Sequence, residues 1–199
     1  MGYVIIGLGN PGNEYAKTRH NAGRMVVEQL AKQEGFEDFE IRKATKALVS
    51  KGMIGDEKVE LVLPDVAMNL SGKAAPNFVK SVKAAKKLLV IRDELDLPLG
   101  VIKMTMYGRG SGGHKGVESI MRALKTKDFI QMKVGISGAT PKGKVKKPGT
   151  EQKVITHVIG KFSPKEEALL KKTLARAAEA ARIFVADGVE KAMLVANTR

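Results

Sequence analysis

Along the chain, unbroken apolar runs alternate with stretches in which apolar residues recur every three or four positions, and this alternation predicts most of the elements. Tyr3–Leu8 is a continuous apolar run closed by the glycines of GLGNPG, the pattern of a buried strand. The polar stretch NEYAKTRHNAG follows, and helical spacing resumes at Met25, Val26, Leu30 and Ala31. A weak strand signal covers Lys46–Ser50, and a strong one, Val59–Leu63, is stopped by Pro64. Ser71 is placed to cap a helix running through about Ala84, with Pro76 near its first turn. Leu88–Ile91 and Val101–Met106 read as short strands, the glycine-rich GRGSGGHKG leads into a helix over Val117–Leu124, and Met132–Ile136 is a further strand. Ser163-Pro164-Lys165-Glu166 is a capping-box arrangement that opens a long amphipathic helix, ended by Asp187-Gly188, and a shorter helix finishes the chain. Segment 137–149 is dense in Gly, Pro and Lys and reads as a surface loop or as a basic lip beside a polyanion groove.

Strands and helices in alternation predict an α/β fold: a single three-layer domain over residues 1–199, with a mixed, mostly parallel central sheet flanked by helices. The length of 199 residues suits one domain with a sizeable core.

Composition narrows the function. The chain has no cysteine, which removes disulfides, thiolate metal sites and cysteine nucleophiles together, and only three histidines, His20, His114 and His157. No run is long enough for a membrane helix, and the N-terminus lacks the basic start of a secretory signal, so the expected location is the cytoplasm, with the mitochondrial matrix as the other possibility. The 35 Lys+Arg against 21 Asp+Glu give a net charge of +14, a field that draws polyanions such as RNA or else a lysine-rich solubilising surface. Aromatic residues make up only 5%, so phosphate contacts rather than base stacking would dominate nucleic-acid binding.

Candidate chemistry sits where strands end. Gly7-Leu8-Gly9-Asn10-Pro11-Gly12 fits a dinucleotide-binding pattern, yet polar residues separate it from the next helix and Pro11 removes a backbone donor. The other reading is a strand-terminal turn presenting Asn10. His20, in Thr18-Arg19-His20-Asn21, is either a general base or a surface histidine before a helix. Asp93 directly follows a buried strand, at the sheet edge where α/β proteins hold ligands, and could orient a histidine or simply cap a turn. Asn69 and Ser71 in MNLSG, and the glycines around His114 and Lys115, are further turn-or-site candidates.

In combination, VIIGLGNPGNEYAKTRHNAG, MNLSGKA, DELDLPLG, GGHKG and the late IGKFS resemble the bacterial-type peptidyl-tRNA hydrolase family, whose members also occur in eukaryotic organelles. The resemblance covers nearly the whole chain. It implies hydrolysis of the ester between a peptide and the tRNA 3′ ribose, with no metal or organic cofactor, a monomer, no membrane, and peptidyl-tRNA (acceptor end and 3′ CCA) as partner. By position, His20 is the base that activates water and Asp93 accepts its imidazole hydrogen bond. Substrate-binding positions are Asn10, Tyr15, Asn21, Met68, Asn69, Asp96, His114 and Lys115. Lys103, Lys133, Lys142 and Lys144 would meet tRNA phosphates. Lys115 departs from the family's usual asparagine, and Ala67 removes a bulky aromatic often found before MNLSG. The alternative is a non-catalytic RNA-binding relative, such as an organellar intron-splicing factor.

Overall fold

The computed structural model describes residues 2–140 and 144–198. The apolar runs become a sheet: β1 (Tyr3–Gly7), β2 (Glu40–Arg42), β3 (Ala47–Ile54), β4 (Glu57–Pro64), β5 (Leu88–Pro98), β6 (Ile102–Thr105), β7 (Ile130–Ala139) and the short β8 (Val145–Lys146). The helices are α1 (Ala22–Glu34), α2 (Val82–Ala85), α3 (Lys115–Leu124), α4 (Glu151–Ile159), α5 (Pro164–Ala186) and α6 (Val189–Asn197). Strand order is β2-β3-β4-β1-β5-β7-β6, with β8 paired to β7. The central strands β4, β1, β5 and β7 run parallel, and antiparallel pairs finish both sides.

Because side chains on a strand alternate between faces, the buried strands feed two cores. Ile5, Leu61, Leu89 and Met132 pack with α1, α5 and α6 on one face. Val4, Ile6, Val62 and Val90 pack with α3 and the 68–85 region on the other. This is the expected three-layer arrangement.

Several local expectations need correction. The helix expected from Ser71 to Ala84 does not form. Met68–Lys73 and Ala75–Asn77 are tight 3₁₀ turns, and only Val82–Ala85 is α-helical, capped by the Ser81 hydroxyl, which accepts from the Ala84 N–H. Ser71 instead donates to the Met68 carbonyl at 2.7 Å, a local bond that competes with helix. Segment 137–149 is not wholly loop: β7 continues to Ala139 and pairs with β8. Lys46, expected to begin a strand, sits at φ 55°, a left-handed turn before β3. Sequence patterning missed α4, whose polar residues mask its helical spacing.

Gly23, in the first turn of α1, sets how closely that helix approaches the sheet. A Cβ there would run into the Ile91 carbonyl oxygen and lie 2.8 Å from the Leu8 nitrogen. Both are backbone atoms of central strands, or directly follow them, and neither can move cheaply. Gly23→Ala should therefore cost about 1–3 kcal/mol, lowering the thermal midpoint by roughly 2–12 °C. A midpoint within 1 °C of the parent, estimated on the same scale, would show that α1 can be displaced.

Candidate active site

The central strands all point their C-terminal ends to one edge, and the chemistry gathers there. At the end of β1 the chain turns through Asn10, which the Asn21 side chain fixes at both backbone groups. Asn21 Oδ1 accepts from the Asn10 N–H, and Asn21 Nδ2 donates to the Asn10 carbonyl, both at 2.9 Å. Asn21 is buried, so its amide serves as an internal clamp on Asn10 rather than as a rim group. Asn10 Oδ1 in turn accepts from the Met68 N–H at 2.8 Å, which ties the end of β1 to the turn after β4. The Asn10 amide then has its Nδ2 hydrogens left to offer outward.

The turn after Asn10 leads to His20, and its position is braced from the far side of the domain. Arg19 makes a two-point ion pair with Glu166 in the first turn of α5, at 2.9 and 2.7 Å, and also donates to the Ile136 carbonyl at 3.0 Å. Its guanidinium lies 4.6 Å over the Phe162 ring. The Arg19 hydrogen bonds, with further donation from Ser163, pull the Glu166 carboxyl down to about 2.

With the turn so held, His20 Nδ1 lies 2.9 Å from Asp93 Oδ1. His114 Nε2 reaches the same oxygen, also at 2.9 Å. The Val117 N–H donates to His114 Nδ1 at 3.4 Å, so the His114 proton is on Nε2 and points at Asp93. Asp93 is 3% exposed, and burial alone would raise its pKa. The two imidazoles reverse that and hold the carboxyl far below the usual carboxylate range. An ionised Asp93 takes the Nδ1–H of His20 and leaves His20 Nε2 as a basic lone pair. Burial pushes the His20 imidazole down, but the Asp93 charge and hydrogen bond outweigh it, so its pKa lies above the ordinary value. His114 is buried more completely, and its net shift is downward.

His20, Asp93 and His114 line a cavity of about 300 Å³ together with Asp96, Gly112, Lys115 and the α4 residues Val154, Ile155 and Val158. A cavity of about 440 Å³ opens at the opposite end of β1 and β4, lined by Tyr3, Lys51, Lys58 and Glu60, but no histidine lines it.

His20 Nδ1, Asp93 Oδ1 and His114 Nε2 lie within 4.8 Å of one another, a set that could hold a metal ion. Their chemistry fits a hydrogen-bonded triad better, because the Val117 N–H fixes a proton on the one His114 nitrogen that would have to ligate.

The remaining candidates divide clearly. Met68 packs close to His114 at Gly116, whereas Asn69 is exposed on the turn and Tyr15 is half-buried in the loop before His20. Asp96 pairs with Lys147 at the crevice mouth. Lys103 and Lys133 stand opposite each other on β6 and β7 and, with Arg109, line a depression of about 560 Å³ that meets the crevice at Gly112. Lys133 is also paired to Glu94 at 3.3 Å. Lys144 is exposed, and Lys142 lies outside the described residues. Sequence reasoning missed Arg92 and Glu94 as a buried pair at 3.0 Å, and the α4 wall. The clue for the first was a charged Arg92 directly after the apolar run Leu88–Ile91.

Against known proteins, the family model described as Peptidyl-tRNA hydrolase matches residues 4–199. A peptidyl-tRNA hydrolase of Thermodesulfovibrio yellowstonii is 39% identical over 197 residues, covering 98% of both chains. One from Carboxydothermus hydrogenoformans is 41% identical over 192 residues, covering 96% of each. The crystal structure of peptidyl-tRNA hydrolase from Acinetobacter baumannii superposes with a TM-score of 0.86 at 34% identity, covering 98% of this chain and 94% of that one.

The Arg19–Glu166 brace predicts a pH dependence. The folded-state pKa of Glu166 is depressed to about 2, so its contribution to stability is present above its unfolded value and is lost as pH falls through that window toward 2. Urea unfolding should find Glu166→Gln less stable than the parent at pH 6, with the gap closing as the pH approaches 2. A gap that stays constant with pH would mean that the ion pair contributes nothing.

Proposed function

The chain belongs to the peptidyl-tRNA hydrolase family, and we propose that it cleaves the ester between peptide and tRNA 3′ ribose by water activated at His20. The observation that carries this reading is the His20 Nδ1–Asp93 Oδ1 contact of 2.9 Å, which fixes the tautomer and leaves Nε2 facing the crevice as a base.

In the reaction, His20 Nε2 takes a proton from water as the oxygen attacks the ester carbonyl, and the imidazolium that forms is stabilised by buried Asp93. The same proton then returns to the departing ribose oxygen. The outward Nδ2 of Asn10 and backbone N–H groups at the strand ends donate to the peptide end, where charge develops on the carbonyl oxygen. Asn69, Met68 and Tyr15 border the substrate path, and Lys115 and Asp96 stand at its rim. No covalent intermediate is required, since among the described residues no serine is hydrogen-bonded to His20. The tRNA acceptor end lies along the Lys103, Lys133 and Arg109 depression, with Lys144 further along the same basic side. The protein acts as a monomeric single domain in the cytoplasm, recycling peptidyl-tRNA released from translation.

Hydrolysis of an N-acetyl-aminoacyl-tRNA at neutral pH, with EDTA present, tests the chemistry. His20→Ala and Asp93→Asn should each lower kcat about 10²–10⁴-fold with tRNA binding retained. Full activity of His20→Ala would remove His20 from its role, and loss of parent activity in EDTA would point to a metal at the triad. For the tRNA path, Lys103→Ala should reduce the slope of log K against log salt by about one. An unchanged slope would place the phosphates elsewhere.

A further inference from the structure

His20 Nδ1 and His114 Nε2 both lie 2.9 Å from one oxygen of Asp93, so the two rings compete for a single buried charge. Hydrolysis needs the incoming proton to reside on His20. A proton on His114 would neutralise the same carboxylate from the wrong side and weaken His20 as a base. We propose that Arg92 is the positioning residue that settles this competition, tying the His114 loop to β5 through one backbone carbonyl on each and keeping His114 a neutral donor by its buried cation. The inference rests on His20 being the base.

Arg92 is 1% exposed, directly beside Asp93 in β5. One terminal nitrogen donates to the Asp93 carbonyl at 2.9 Å and the other to the Ser111 carbonyl at 3.2 Å. The Ser111 carbonyl also accepts from the His114 N–H, so the guanidinium and the His114 backbone meet on one atom. Arg92 Nε has no partner among the described residues, so the buried cation is held by its terminal nitrogens alone.

Burial favours the neutral His114 ring, Asp93 opposes it, and the cations nearby decide how far the opposition goes. From β5 come Asp93, Arg92 and Glu94, from β7 Lys133, and from the preceding turn His20. Its own helix contributes Lys115 and Glu118, which offset each other at 3.7 Å, and α4 contributes Glu151 across the crevice. Glu94 Oε2 is shared by Arg92 at 3.0 Å and Lys133 at 3.3 Å, so these three side chains keep one net positive charge, which offsets part of the Asp93 charge. Burial lowers the His114 pKa most, Asp93 opposes it, and Arg92 and His20 lower it further. Arg92 makes no comparable contribution at His20, whose net shift is upward.

Histidine-selective ¹⁵N NMR of the intact chain reads the order of the two titrations without reference to turnover. His114 should remain a neutral Nε2–H tautomer across the whole range in which His20 titrates. Arg92→Met should raise the His114 midpoint by about one pH unit and move the acid limb of kcat/KM upward, with kcat falling and KM little changed. Arg92→Lys should keep the parent's order of titration, and Glu94→Gln should shift the His114 midpoint the opposite way. His114 titrating with or before His20 in the parent would overturn the proposal. So would an Arg92→Met chain that loses kcat with both midpoints and the acid limb unmoved, which would leave Arg92 as loop packing. Failure of the base reading is separate, since it is seen as activity retained by His20→Ala.

Discussion

One oxygen atom, Asp93 Oδ1, accepts two imidazole N–H groups in a place that water scarcely reaches. A buried carboxylate without partners would be neutral or the fold would be lost, because the cost of desolvating the charge is several kcal/mol. Two donors converging on it reverse that preference, and much of the architecture serves to bring them there. Strand β5 is the longest in the sheet and carries Asp93 past its apolar start. The His20 turn arrives over α1, braced by Arg19 on α5, and His114 caps α3 from the glycine-rich loop. Three distant segments therefore share one electrostatic requirement.

The molecule's overall charge makes this local pairing more informative. A chain with net charge +14 presents a field that disfavours another proton. Surface lysines act on His20 through solvent and salt, which screen beyond about 8 Å at physiological ionic strength. Asp93 acts at 2.9 Å through protein, and it prevails: His20 titrates above the ordinary histidine value. The same chain thus carries a positive surface field and a basic histidine within, because the two effects operate over different distances.

The fold class was legible because continuous apolar runs such as Leu88–Ile91 mark strands buried on both faces, and Ser163 with Glu166 marks a helix start. The 68–85 region was misread because helical propensity says nothing of the neighbours. Gly72 lies against the Ser119 backbone of α3, and tight turns fit in that space where a helix would not. At the site, His20, Asp93 and Asn10 were found as residue types at strand ends. That Asn21 is a buried clamp, and that Arg92 and Glu94 form an internal pair, depends on contacts 11 residues apart in the first case and on burial in the second. Neither leaves a periodic signal. The family resemblance supplied the site's membership and the His20–Asp93 bond, while the second imidazole on the same oxygen and the Asn21 clamp emerge only in the folded chain.

Lys115, the departure from the family pattern, stands at the rim of the crevice. It occupies the first position of α3, where the helix dipole disfavours a cation, and Glu118 at 3.7 Å offsets part of that penalty. Its side chain is 73% exposed and pairs with Glu118 on its own helix. A lysine cannot accept a hydrogen bond as an asparagine does, so any water or substrate donor held at this rim must find its acceptor elsewhere. What the lysine adds is an exposed cation in the lining of the crevice, which it shares with Asp96, itself paired with Lys147. The change therefore alters the charge at the crevice rim and leaves in place the buried Asp93 oxygen and the two rings that meet on it.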